Sequence, residues 1–146
     1  MPVNGQVSRK ILNQAGTWYD EAQTQMEKGN RDQGFFNFGK VLHMVQDSYA
    51  EGHVARDSNG QILFFQGYDK QDPDKHASDD NIPKYGKWTD VPNAQQAYDT
   101  SVVLMTIFKN RASSKDFVDY LKTHVYQLAP DAASQVAGGT LDKYAR

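Results

Sequence analysis

Cysteine is absent from this chain of 146 residues. That excludes disulfides and thiolate metal sites, so any metal must be held by His, Asp or Glu. Long apolar runs are missing too. No stretch approaches the roughly 18 residues that a spanning helix needs, and the opening MPVNGQVSRK has no apolar core of a secretory signal. The chain is expected to be soluble, with export, if any, by another route. Its compartment is not fixed by these absences. Charge of one sign is not in excess either: 16 Lys and Arg against 18 Asp and Glu leave a formal net charge of -2. The overall field therefore gives no strong non-specific attraction to duplex nucleic acid. Internal repeats and low-complexity segments are also lacking.

What is present is helical periodicity. In VSRKILNQAGTWYDEAQTQMEKGN, the residues Val7, Ile11, Leu12, Ala15, Trp18, Ala22 and Met26 form an apolar stripe that stops at Gly29 and Asn30. From about Arg31 to Ala50 a second helix places Phe35, Phe38, Leu42, Val45 and Tyr49 on one face. Phe36, Val41 and Met44 extend the apolar surface nearly around the cylinder, which predicts the central, most buried helix. Asn59-Gly60 lies between two short strand-forming runs in HVARDSNGQILFF and predicts a small β-hairpin. Asp72-Pro73 has the form of an N-cap and first turn, so a short helix is expected from about Pro73 to Asp80, then a surface loop over 81–93. Two further helices follow. AQQAYDTSVVLMTIFKNR is expected to bury Val102, Val103, Met105, Ile107 and Phe108, and SKDFVDYLKTHVYQLA to bury Phe117, Val118, Leu121, Val125 and Leu128. The tail with Gly138-Gly139 reads as loose. The expected fold is mainly α: one helical domain over 1–146 with a buried central helix and one small β-hairpin, either whole or a fragment of a longer protein.

The second helix carries a polar intrusion, in GKVLHMVQDSYAEGH. His43 and Asp47 are spaced i, i+4, so at about 100° per residue they lie roughly 40° apart on one face and can share a ligand. Gly39 precedes this pair by one turn, and small neighbours leave room beside it for something other than a side chain. The same spacing also suits a simple hydrogen-bonded pair. His53 follows just beyond, and His76 and Asp80 repeat the i, i+4 pair further along. Only four histidines occur in the chain, and three of them fall in these motifs. The fourth, His124, lies outside and reads as a helix-end or packing residue.

Together His43, Asp47, His53, His76 and Asp80 spell H-x3-D-x5-H followed by H-x3-D. This pattern resembles the zinc-dependent phospholipase C and single-strand nuclease superfamily, mostly helical phosphodiesterases. The resemblance implies that His53, His76 and Asp80 hold one zinc with a fourth position open to water. It also implies that His43 and Asp47 belong to a neighbouring zinc pair, bridged by Asp47, the residue carried over as catalytic. Family members use an amino-terminal residue, an early His and a further Asp and His upstream, whereas no histidine precedes His43 here. The missing ligands could lie on an upstream domain or partner chain, the site could be reduced, or the chemistry could have been lost.

The function so implied is a zinc-dependent phosphodiesterase of phospholipase C type, a toxin-like effector or a domain of one, in which metal-held water attacks a phosphate ester. Phe64, Phe65 and Tyr68 could supply an apolar lip for a phospholipid or other phosphodiester substrate. Tyr85, Lys87 and Trp88 suit stacking with a single strand, the substrate of the nuclease alternative. From a different class comes a non-catalytic helical interaction module, in which the His and Asp residues form a polar network or one structural metal site.

Overall fold

The computed structural model describes residues 2–66, 87 and 91–137. Helix α1 (Asn4–Glu27) and helix α2 (Arg31–Asp47) form an antiparallel pair joined by a tight turn. Gly29 makes that turn at φ +81, a left-handed conformation that glycine adopts without strain. The Gly29 and Asn30 amides donate back to Met26 and Gln25 carbonyls at 3.1 and 2.9 Å, closing the orphan groups at the helix end. The two helices approach closely at Gly34, where an added Cβ would stand 2.6 Å from Met26 Sδ and 3.2 Å from the Ala22 carbonyl.

A two-stranded antiparallel hairpin follows, β1 (Val54–Arg56) and β2 (Ile62–Phe65), in the register Val54 opposite Phe65 and Ala55 opposite Phe64. The predicted turn is there: Gly60 has φ +79, and Asp57 Oδ1 accepts from the Asn59 and Gln61 amides at 2.9 Å each. Helix α3 (Ala94–Lys109) and helix α4 (Ser114–Tyr120) come next, the latter capped by Ser113 Oγ accepting from the Asp116 amide at 3.1 Å. Helix α4 continues into one π-helical turn, Leu121–Val125. Among the described residues the fold is thus mainly α, with a single hairpin, as the sequence predicts. Among the described residues no helix is long and apolar enough to cross a membrane. The short helix expected from Pro73 to Asp80 and most of the loop after it lie outside the described residues.

Aromatic rings hold the helices together. Tyr19 of α1 stacks on Phe117 of α4 at 4.2 Å, and Phe38 of α2 stacks on Phe108 of α3 at the same separation. Edge contacts of Tyr19 with Phe38 and Phe108, at 6.3 and 5.9 Å, join the two stacks into one cluster. All four rings are buried.

The burial corrects two expectations. Val102 and Val103 are 50% and 39% exposed; α3 buries Phe108, as expected, together with Leu104, its i, i-4 neighbour in the same apolar run. Helix α2 buries Phe38, Val41 and Val45, yet Phe36 is 62% exposed. It is therefore not apolar all round. Phe36, Lys40, His43 and Asp47 fall within about 60° of one another on the helical wheel and form one lateral stripe.

A buried asparagine ties the start of α1 and the segment around Ala132 to the hairpin. Asn4 Nδ2 donates to the Leu63 and Ala132 carbonyls at 3.2 and 3.0 Å, and its Oδ1 accepts from the Phe65 amide at 3.1 Å. The first amides of α1 are met in the same way, with Asn4 and Gly5 donating to Gln135 and Ala133 carbonyls at 2.8 and 2.9 Å.

Candidate functional site

The lateral stripe of α2 faces a groove. Its walls are α1, through Val7, Ile11 and Trp18, and α2, through Phe36, Lys40, His43 and Asp47, and one end is closed by Val54 and Phe65 of the hairpin. The cavity measures about 780 Å³, within the roughly 300–1,000 Å³ range of small-molecule sites. Ser48 and Tyr126 form part of its base. Burial pushes the Tyr126 hydroxyl well above the ordinary phenol range, so this part of the base is uncharged.

Gly39 opens the wall. Gly34 on the same helix is required by the approach of α1, but a Cβ at Gly39 would meet no atom within 4 Å among the described residues. A glycine in a helix interior is less favourable than alanine by about 1 kcal/mol. Packing does not explain it here, and its effect is to widen the groove.

At the mouth, the Lys40 ammonium lies over two aromatic faces, 5.8 Å from the Trp18 ring centre and 5.1 Å from that of Phe36. One turn on, His43 Nε2 stands 3.3 Å from Asp47 Oδ2, with side chains 78% and 36% exposed. The i, i+4 spacing does bring this pair together. The burial expected for it does not hold, because the stripe turns outward; an exposed pair needs no partner to offset desolvation.

Behind the groove stands Arg56, which the sequence reading did not single out. Its guanidinium donates to the Ser48 carbonyl (3.2 Å), Ser48 Oγ (3.0 Å), and the Gly60 and Val125 carbonyls (2.8 Å each). It also lies 4.2 Å from the Tyr49 ring centre. Burial lowers its pKa from the usual guanidinium range, though the group stays cationic. A cation at these carbonyls favours the C-terminus of α2 and pins it to the hairpin and the π turn.

His53 lines the same groove as His43 and Asp47, at the entry to the hairpin. Phe65 lines it too, whereas Phe64 packs beside Leu63 against Ala55 in a separate cluster. His76, Asp80, Tyr68, Tyr85 and Trp88 lie outside the described residues. His124 stacks on Tyr120 at 4.4 Å, with Nδ1 2.8 Å from Thr123 Oγ1, a helix-end arrangement like the one expected.

The resemblance to the zinc-dependent phospholipase C and nuclease superfamily is overturned. Among the described residues no group of three or more His, Cys, Asp or Glu could hold a metal ion. His43 and Asp47 offer two donors already turned toward each other, and among the described residues no third donor completes a metal-holding group with them. No family model matches the chain, and no curated protein or solved structure matches it either.

Proposed function

We propose that this chain is a non-catalytic helical binding module whose groove between α1, α2 and the hairpin takes an elongated, largely apolar small molecule. The observation that carries the reading is Gly39: a helix-interior glycine with no packing reason among the described residues, beside a cavity of about 780 Å³. Removing apolar surface from water along Val7, Ile11, Val54 and Phe65 supplies the driving force, at roughly 25 cal/mol per Å². Trp18 and Phe36 supply flat contact area at the mouth.

Gly39→Leu tests this with two readouts. The new side chain enters the groove and strengthens the helix, so thermal stability should rise by about 1 kcal/mol while calorimetric binding of decanol is abolished. Unchanged decanol affinity in a stable Gly39→Leu protein would remove the reading.

A second reading, hydrolysis of a phosphodiester with zinc as cofactor, is favoured by one observation, the contact between His43 and Asp47 at the groove's rim. There Asp47 would orient the His43 imidazole as a general base. The purified chain, titrated with zinc and assayed on bis(p-nitrophenyl) phosphate, distinguishes the two. Turnover that follows zinc and is lost in His43→Ala supports hydrolysis. Its absence at saturating zinc leaves the binding module.

A further inference from the structure

We propose that the molecule held in this groove is a single-chain amphiphile with an anionic head, a carboxylate or a phosphate, seated head-first against Lys40. This deepens the binding reading above and rests on it. Lys40 is the one Lys or Arg among the described residues that line the cavity. Its ammonium is not left to wander in solvent: the Trp18 and Phe36 rings hold it at 5.8 and 5.1 Å, at the groove's mouth and half-buried. A cation fixed in this way loses little freedom on meeting an anion, which is the condition under which a charge-assisted contact adds affinity.

The one ammonium and the one carboxylate among the described lining residues are also separated along the groove. Asp47, the one lining carboxylate, comes seven residues after Lys40 on the same helix, about 10 Å further along at 1.5 Å per residue. It is engaged by His43 at 3.3 Å, so it does not neutralise the mouth. Beyond it lie Val54 and Phe65, with Ile11 and Val7 on the facing helix. Gly39, adjacent to Lys40, opens the wall where a chain leaving the head must enter. A head at Lys40 therefore directs an alkyl tail along Ile11 and Met44 toward Val54 and Phe65, an end that Ser48, His53 and Gln66 also line. A cationic head is disfavoured, since the two ring faces that would attract it already carry the Lys40 ammonium.

Four probes sharing one ten-carbon chain test the head: decanoate, decyl phosphate, decanol and decyltrimethylammonium, titrated calorimetrically at neutral pH below their micelle concentrations. The anionic probes should bind the wild-type chain about tenfold more tightly than decanol. Lys40→Met keeps the stem between Trp18 and Phe36 while removing the charge. It should bring both anions to decanol's affinity. Tighter binding of decyl phosphate assigns a phosphate head, and tighter binding of decanoate a carboxylate. Equal affinity of decanoate and decanol, both abolished by Gly39→Leu, overturns the anionic head and leaves the groove reading standing. Decyltrimethylammonium binding more tightly than decanoate overturns the head in the same way. Failure of every probe to bind the wild-type chain overturns both.

Discussion

Tyr19→Ala should lower unfolding stability by roughly 3–5 kcal/mol and the Tm by more than about 10 °C, the largest effect expected of any single truncation in this fold. Tyr19 is fully buried and touches a ring from each of the other helices: Phe38 of α2, Phe108 of α3 and Phe117 of α4. Removing its ring leaves a cavity where the four described helices meet, and none of them can close it without losing its other contacts. The hydroxyl has a separate role. It donates to the Ala112 carbonyl at 2.6 Å and accepts from Gln23 Nε2 at 3.0 Å, which fixes the connection between α3 and α4. Tyr19→Phe keeps the packing and should therefore lose only about 1 kcal/mol. Chemical denaturation of both variants checks the pair. Similar losses in the two would place the energy in the hydroxyl and remove the ring cluster as the organising contact.

Asn4→Ala should destabilise by about 2–4 kcal/mol, through polar groups left unpaired rather than through lost volume. The Leu63 and Ala132 carbonyls and the Phe65 amide all meet the Asn4 side chain, and Asn4 is itself fully buried. Each has its partner on a different segment, so the loss is felt by α1, the hairpin and the stretch before Ala137 at once. Asn4→Asp is the sharper variant. It retains an acceptor for Phe65, but turns the donor that served two carbonyls into an oxygen that repels them. Hydrogen exchange should show the Phe65 amide exposed in Asn4→Ala and still protected in Asn4→Asp, with both proteins less stable than the parent. Protection of Phe65 in both variants would show that the hairpin is held by other contacts.

Elements whose signals are local were legible in the sequence. The α1–α2 turn follows from Gly29-Asn30, and the hairpin from Asn59-Gly60, because each signal lies within the residues that must turn. The His43–Asp47 contact is local in the same sense, since i, i+4 spacing determines it whatever the helix packs against. Which side of a helix faces inward is a different question. The run Val102, Val103, Leu104, Met105 carries several phases at once, and only contact with Phe38 and Tyr19 selects the one containing Leu104 and Phe108. Phe36 was ambiguous for the same reason, with Phe35 and Phe38 beside it. The groove itself was not legible. Lys40 becomes a mouth residue only when α1 folds back and sets Trp18 opposite it, and Trp18 on its own reads as part of a core stripe. Asn4 and Arg56 were missed because their partners lie on distant segments, and nothing in their own neighbourhood announces a buried polar residue. The family resemblance rested on a spacing pattern, which places donors along a chain but says nothing of whether they converge.

Amide and indole NMR shifts on titration with decanoate test most directly whether the groove between α1, α2 and the hairpin takes up a ligand. Saturable shifts are expected at the Trp18 indole and at the Gly39, His43, Val54 and Phe65 amides. The exposed face of α3 around Tyr98 and Val102 should stay unmoved. Shifts confined to that α3 face, or none at Trp18 and Gly39 at saturation, would contradict uptake in the groove.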